Sequence, residues 1–191
     1  MNPTLLSHEE EMYLLKLARQ TLVKYVTEKK VMEIEDLSQV SPQLQKQGSC
    51  FVTYHEDGEL RGCIGSIFPT QPLYADVIEH AIDAAVHDPR FEPVMSKELS
   101  RIHIEISVLS IPQDIPSYMD FIPGEHGIIL SKQGRKAVFL PQVAPEQGWD
   151  REQTLRHLSL KAGLPPNAWQ SGTKFQIFTA QVFSEPKSDL T

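Results

Sequence analysis

The stretch DGELRGCIGS, residues 57–66, places a cysteine two residues after an arginine and sets glycines beside both. Glycine weakens a strand and adds nothing to its packing, so two glycines in a predicted strand need a reason. Gly62 and Gly65 leave room for a ligand or for another stretch of backbone to approach closely. A guanidinium near a thiol favours the thiolate, the reactive form of cysteine. We therefore interpret Cys63 as a nucleophile or ligand-holding residue, and Arg61 as the group that binds an anion.

A simpler interpretation makes Cys63 a small buried hydrophobic residue, which is how most unpaired cysteines behave. The two glycines would then mark a bulge or a bend in the strand. Cys50 keeps this simpler interpretation. A disulfide between Cys50 and Cys63 fits one strand register, but we expect a reduced, cytoplasmic protein in which it does not form.

The dipeptide at 57–58, Asp-Gly, predicts a hairpin turn, and the length of the loop decides which residue faces the thiol. A two-residue loop pairs Cys63 with Val52, and a three-residue loop pairs it with Phe51, because a slip of one residue exchanges the two faces. In either register Arg61 and Cys63 share a face.

The segment RIHIEISVL is the clearest strand in the sequence, since aliphatic residues alternate with His103, Glu105 and Ser107. The aliphatic face is expected to be buried against a helix. On the other face Glu105, between an imidazole and a hydroxyl, could act as a catalytic acid or base. A solvated sheet face explains the same alternation.

The loop GEHGIIL brackets Glu125 and His126 with Gly124 and Gly127, just before a predicted strand. Glycine-rich loops can turn backbone amides toward an anion, which makes His126 a candidate general base. An exposed turn histidine is the alternative. Because the histidines show no HxxxH or HxH spacing, we predict neither a metal site nor a cofactor.

Two further segments supply candidate substrate-binding residues. In DPRF, Asp88 is expected to end a helix and Arg90 to pair with a carboxylate or bind the substrate. In FLPQVAPEQGWD, Gln142 lies at a predicted strand end, where side chains often reach a site.

The elements that position these residues follow the order α-β-β-α-β-β-β-α-β. The first helix has a capping box formed by Ser7 and Glu10, and the last helix has one formed by Asp150 and Gln153. KFQIFTAQVF is predicted as one closing strand. Since hairpins outnumber possible βαβ crossovers, we expect an α+β fold with a mainly antiparallel sheet and flanking helices.

Composition limits the possible functions. The chain has 191 residues, which suits one domain, and a formal net charge of −7, which weighs against nucleic-acid binding. No segment approaches the length of a membrane span, and the N-terminus lacks the basic start and apolar run of a signal peptide.

The motifs LRGCIG, DPRF, EISVL, GEHGIIL, FLPQVAPEQGWD and KAGLPP occur in this order. Together they resemble the AMMECR1 domain family, and within it the form called AmmeMemoRadiSam system protein A, over about residues 5–183. The resemblance implies a large lobe built around an antiparallel sheet and a smaller lobe, with residues 1–4 and 184–191 as flexible tails. It also implies a radical SAM protein and a Memo-like protein as partners. This chain lacks a CxxxCxxC motif, so it is not itself the radical SAM component.

Two hypotheses about function follow. In the first, the chain is an enzyme or enzyme component that acts on a small anionic substrate. Cys63 would be the nucleophile and Glu105 or His126 would move protons, while the substrate would be bound by Arg61, Gly62, Gly65, Arg90 and Gln142. In the second, the chain is a non-catalytic binding protein that docks to its partners through the LRGCIG hairpin.

Overall fold

A computed structural model of the chain describes residues 5–186, which divide into two compact units. The first unit comprises the described residues up to Leu109 and those from Gln181 onward, and the second comprises Ser110–Ala180. The fold is α+β with antiparallel sheets, and the two units match the predicted larger and smaller lobes. Among residues 5–186, no helix combines the length and apolarity needed to cross a membrane.

In chain order the elements are α1 (His8–Glu28), β1 (Gln47–Glu56), β2 (Glu59–Gly65), β3 (Gln71–Pro72), α2 (Leu73–Val86), β4 (Ile102–Leu109), β5 (Gln113–Ile115), β6 (Gly127–Lys132), β7 (Arg135–Phe139), α3 (Val143–Gln147), α4 (Arg151–Lys161), β8 (Lys174–Phe178) and β9 (Ala180–Ser184). The short elements β3, β5 and α3 were not predicted. Short 3₁₀ turns also occur, one of them at Ser96–Glu98.

The sheet of the first unit has the strand order β2-β1-β4-β9, with β3 beside β1. The predicted alternation of β4 is confirmed, because Ile102, Ile104 and Ile106 are buried in the core formed with α1 and α2. On β1 the residues that join this core are Cys50, Val52 and Tyr54, and the Tyr54 hydroxyl donates to the Ala81 carbonyl of α2 at 2.7 Å.

Helix α1 begins as its sequence predicts. The Ser7 side chain accepts from the Glu10 amide and the Glu10 carboxylate accepts from the Ser7 amide, which completes the capping box. The apolar stripe of α1 is buried at Leu15, Ala18, Leu22 and Val26. Met12, which has the same spacing from Leu15 in the sequence, is 38% exposed.

Gly62 of β2 marks the closest approach of α2 to the sheet. A Cβ atom at position 62 would collide with the carbonyl oxygen of Ala84 in α2. A helix backbone cannot move aside as the end of a flexible side chain can. The helix can therefore lie this close to the strand only because residue 62 has no side chain.

The second unit has its own sheet, in the order β5-β8-β6-β7, and its own core, which includes Ile128, Leu155 and Phe175. The predicted capping box of α4, Asp150 with Gln153, is confirmed. Trp149, which precedes it, stacks on His157 with ring centroids 3.9 Å apart.

The segment predicted as one closing strand is two strands in different sheets, which corrects the sequence prediction. β8 joins the second sheet and β9 joins the first. The break falls at Thr179, whose amide donates to the Ser110 hydroxyl at 2.8 Å and whose carbonyl accepts from the Ser110 amide at 2.9 Å. These local hydrogen bonds replace those of a continuous ladder.

Ordered structure continues past the predicted domain end at residue 183. Ser184 completes β9, and Glu185 accepts hydrogen bonds from the Arg19 side chain and from the Ile104 amide. The remaining predicted tail residues, 1–4 and 187–191, lie outside the described residues.

Replacing Gly62 by alanine should destabilise the protein by about 3 kcal/mol or more, because the methyl group would overlap the main chain of α2. Gly58→Ala is the matched control in the same hairpin. Its φ of 87° makes alanine strained, yet the added methyl meets open space, so a loss of about 1–2 kcal/mol is expected. Chemical denaturation of both variants measures the difference. Equal losses would contradict the close-packing explanation.

Candidate functional site

A β-bulge sets the register of the hairpin that carries the thiol. The two-residue turn pairs Glu56 with Glu59, but the register then shifts so that Arg61 is the extra residue on β2. Cys63 consequently pairs with Thr53. Both predicted partners of Cys63, Val52 and Phe51, are therefore wrong, because a bulge displaces every residue beyond it by one position.

Cys63, Thr53 and Glu105 form one row across three neighbouring strands. Thr53 is the register partner of Cys63 on β2 and also of Glu105 on β4. Because side chains alternate along a strand, this row lies on the face opposite Val52 and Tyr54, away from α2. The Thr53 hydroxyl donates to the sulfur of Cys63 at 3.1 Å. The structure therefore brings two of the predicted residues, Cys63 and Glu105, onto one face and adds Thr53 between them.

The segment after α2 binds the outer edge of β2. The Asp88 carboxylate accepts from the Cys63 backbone amide at 2.9 Å, and its side chain is 1% exposed. Arg90 donates to the same carboxylate through Nε at 3.0 Å and through Nη2 at 2.7 Å. The predicted pairing of Arg90 with a carboxylate is thus present, and its guanidinium also reaches the Cys63 carbonyl at 3.4 Å.

The charges around the sulfur oppose one another. Burial raises the pKa of the Cys63 thiol above its ordinary value, and the Thr53 hydroxyl and Arg90 offset only part of that rise. The hydrogen bonds from Arg90 hold the pKa of Asp88 well below its usual range. The resting state that follows is a protonated thiol beside an ionised Asp88–Arg90 pair.

Arg61 does not lie in this row. Its Nε donates to Glu98 at 2.8 Å and its Nη2 donates to the Glu92 carbonyl at 2.9 Å. It lines a cavity of about 600 Å³ together with Glu92, Pro93, Met95, Lys97, Glu98 and Arg101. The bulge that changes the register of Cys63 also turns Arg61 toward the 3₁₀ turn at Ser96–Glu98. The guanidinium beside Cys63 is therefore that of Arg90, and not that of Arg61 as predicted.

The two glycines of the motif are explained by contacts within the protein. Gly62 lies against the main chain of α2, and a Cβ at Gly65 would collide with the Cys50 carbonyl and the Phe51 ring. Of the two possibilities raised by the sequence, the approach of another stretch of the chain is the one seen at both positions.

The remaining candidates belong to the second unit. The Nδ1 atom of His126 accepts from the Ile122 amide at 3.1 Å, which fixes the turn before β6 and leaves the proton of a neutral ring on Nε2. Gln142 is exposed at the start of α3, and its carbonyl accepts from the Glu146 amide at 3.0 Å.

Cys50 has a different environment from Cys63. It is fully buried in the core of the first unit, and burial raises the pKa of its thiol well above the usual value. Both cysteines are free. Within the described part of the chain, no three His, Cys, Asp or Glu side chains are grouped to hold a metal ion.

Comparison with known proteins places this architecture in a family. The family described as AMMECR1 matches residues 15–183. Protein Mbar_A1807 of Methanosarcina barkeri is 40% identical over 177 residues, covering 90% of this chain and 88% of that protein. Protein MJ0810 of Methanocaldococcus jannaschii is 40% identical over 190 residues, covering 95% and 92%. The crystal structure of the uncharacterized protein PH0010 from Pyrococcus horikoshii superimposes with a TM-score of 0.84 at 37% identity, covering 94% of this chain and 93% of that one.

Replacing Asp88 by asparagine should lower the stability at pH 7 by about 1–3 kcal/mol, because a buried acceptor of charge-assisted hydrogen bonds is lost. The folded state depresses the pKa of Asp88, so its stabilising contribution is present above the ordinary aspartate pKa of about 4 and is lost as the pH falls through the folded value. The stability difference between wild type and variant should therefore shrink in acid. Asp57→Asn, at the exposed hairpin turn, is the control and should change stability little at either pH. A difference that stays constant down to pH 2 would contradict this account.

Proposed function

The chain belongs to the AMMECR1 family, and from the side chains around Cys63 we propose that it is an enzyme, or an enzyme component, that binds a small anionic substrate beside a reactive thiol. The observation that carries the proposal is the environment of the sulfur. It is half-buried and meets the Thr53 hydroxyl and the Arg90 charge on the face of the sheet opposite the core, whereas Cys50 is fully buried inside the core, with its thiol against the Asp76 carboxylate.

Cys63 is the proposed nucleophile or transient covalent carrier. Because its thiol is protonated at rest, it must lose the proton as the bond from sulfur to substrate forms. Glu105 is the proposed acceptor of that proton. The strands of Cys63 and Glu105 are separated by β1, so their backbones stand about 10 Å apart, two strand spacings. The Thr53 hydroxyl, beside the sulfur, is the proposed relay: it turns its own proton from the sulfur to Glu105 and takes up the proton that the thiol releases. His126 belongs to the second unit and stays a predicted base, without a role in this arrangement.

Arg90 is the proposed anchor for the anionic group of the substrate. Its side chain is 54% exposed, and its hydrogen bonds to Asp88 use Nε and Nη2. Nη1 is left to donate to a carboxylate or phosphate oxygen. Arg61, Gly62 and Gly65 keep a secondary place in substrate binding, since their contacts in the structure are made within the protein. Gln142, exposed in the second unit, stays a predicted substrate-binding residue.

The alternative is a binding protein that docks through the LRGCIG hairpin to a radical SAM protein and a Memo-like protein, the partners implied by the family resemblance. The exposed tip of β2 favours it, because Glu59 is exposed and Leu60 is 40% exposed. Both hypotheses place the protein in the cytoplasm, where cysteines stay reduced. A pull-down with the two partner proteins separates the hypotheses. Docking through the hairpin predicts that binding survives Cys63→Ser and is lost in Leu60→Glu, while Val23→Glu on α1 serves as the matched control.

The anchoring role of Arg90 predicts that Cys63 prefers a negatively charged alkylating agent. Relative to free cysteine, the ratio of its rates with iodoacetate and iodoacetamide should rise about threefold. A cation at about 4 Å contributes roughly 1 kcal/mol in water, and Asp88 offsets part of that. Arg90→Gln should remove the preference, and Lys97→Gln, which deletes the same charge from the exposed 3₁₀ turn, should keep it. Mass spectrometry assigns the label, with buried Cys50 as the unreactive reference. A ratio equal to that of free cysteine, unchanged in Arg90→Gln, would refute anion binding at this site.

Cys63→Ser should leave the stability within about 1 kcal/mol of wild type, because the side chain is half-buried and already among polar groups. It should abolish pathway activity in cells. Cys50→Ser is the contrasting variant, and it should cost about 1–3 kcal/mol because it replaces a fully buried thiol by a hydroxyl that gives up more hydration on entering the core. Thermal denaturation and a complementation assay give the two readouts. If Cys63→Ser unfolds the protein, or folds and keeps full activity, the catalytic role of the thiol is wrong.

A further inference from the structure

His80 on α2 is a buried histidine for which the proposed chemistry has no use. Its side chain is 9% exposed, and neither ring nitrogen has a hydrogen-bond partner among the described residues. Two carboxylates flank the ring. Asp76 Oδ1 lies 3.4 Å from Nε2, and Asp83 Oδ2 lies 3.6 Å from Nδ1.

The two flanking carboxylates favour one protonation state of this ring. A neutral imidazole has one N–H and one lone pair, so between two carboxylates one of its nitrogens would lie beside a negative oxygen with no proton to offer. An imidazolium carries an N–H on both nitrogens and suits an acceptor on each side. We infer that His80 is a buried imidazolium that bridges Asp76 and Asp83 and, through Asp76, positions the hairpin that carries Cys63. The positioning role rests on the proposed function.

Asp76 connects this imidazolium to the hairpin. Its side chain is 1% exposed, and it accepts the Cys50 backbone amide of β1 at 2.8 Å. It also accepts the Ser66 hydroxyl, just after β2, at 3.2 Å and the Gln71 amide of β3 at 3.2 Å. One carboxylate therefore gathers β1, β3 and the end of β2, and His80 supplies the positive charge that lets it stay ionised in the core.

The charged groups acting on His80 are Asp76, Glu79 and Asp83, all on α2. The elements packed around Asp76 contribute uncharged groups, namely the Cys50 amide and thiol, the Ser66 hydroxyl and the Gln71 amide. Burial alone would lower the pKa of His80, but these carboxylates raise it above its ordinary value. A raised pKa means that the stabilising contribution is present below about pH 6.5 and is lost as the pH rises through the folded value.

The test is a histidine titration by NMR on the full-length, ¹⁵N-labelled protein between pH 5.5 and 9. We expect both ring nitrogens of His80 to be protonated at pH 7 and to titrate with a midpoint above that of an ordinary histidine. The backbone amide of Cys50 should shift with the same midpoint, because its acceptor loses its counter-charge. A singly protonated His80 ring at pH 7, or a Cys50 amide that does not respond, would overturn the inference.

Two variants assign the signals and control the result. His80→Gln should remove the shift of the Cys50 amide with pH. His87→Gln should leave the pH-dependent shift of the Cys50 amide in place. His87 also contacts Asp83, at 2.7 Å, but its ring is exposed to solvent and does not contact Asp76 in the described structure. If His80→Gln does not fold, the wild-type titration alone still decides the protonation state.

The alkylation profile of Cys63, recorded over the same pH range, separates this inference from the proposed function. A change in the Cys63 rate constant that follows the His80 midpoint in wild type and vanishes in His80→Gln supports the positioning role. Cys63 alkylation rates that show no change at the titration midpoint of His80 would overturn the positioning role. A Cys63 that shows no preference for iodoacetate, together with a titrating His80 and Cys50 amide, rejects the proposed function and keeps the buried ion bridge.

Discussion

The fixed distance between α2 and the β1–β2 hairpin is the constraint on which the candidate site depends. Gly62 allows the helix backbone to touch the strand, and two aspartates tie the pieces together. Asp76 in the first turn of α2 accepts the amide of Cys50, and Asp88 just beyond the helix accepts the amide of Cys63. Each bond satisfies a backbone donor that the sheet would otherwise leave unpaired. The thiol is therefore positioned by the helix as much as by its own strand.

The electrostatics of the site reflect a compromise between burial and charge. Arg90 is the largest of the groups that hold Asp88 ionised, and because it donates to both carboxylate oxygens, the guanidinium beside the thiol is already partly neutralised. A full positive charge there would give a stable thiolate, whereas this pair leaves the thiol protonated until something takes its proton. The arrangement suits a nucleophile that is activated during the reaction and is protected from oxidation at rest, since oxidation follows thiolate character.

Sequence patterns predicted the periodic parts of this fold well and its irregular parts poorly. The alternation in β4, the capping boxes of α1 and α4 and the hairpin turns depend on neighbouring residues, so local chemistry was enough to find them. At the bulge Arg61 pairs with Glu98, 37 residues further along the chain, and no local pattern in the sequence indicates the bulge. Because the bulge shifts the register by one residue, Cys63 pairs with Thr53, which was not predicted, and Arg61 does not lie beside the thiol, which was predicted. The pairing of Asp88 with Arg90 was easier to predict, because an Asp-Pro-Arg sequence after a helix places a carboxylate and a guanidinium two residues apart in one turn.

The insertion of the second unit between β4 and β9 has a consequence for how the protein is made. The first sheet gains its last strand, and Arg19 gains its carboxylate partner Glu185, only after all of the residues from 110 to 180 have been synthesised. The second unit is continuous in sequence, and the paired hydrogen bonds between Ser110 and Thr179 join its two ends, so its core needs no residue outside 110–180. Until β9 docks, the N-terminal part of the first sheet, thiol included, has an unpaired β4 edge, and such an edge is open to mispairing with other chains.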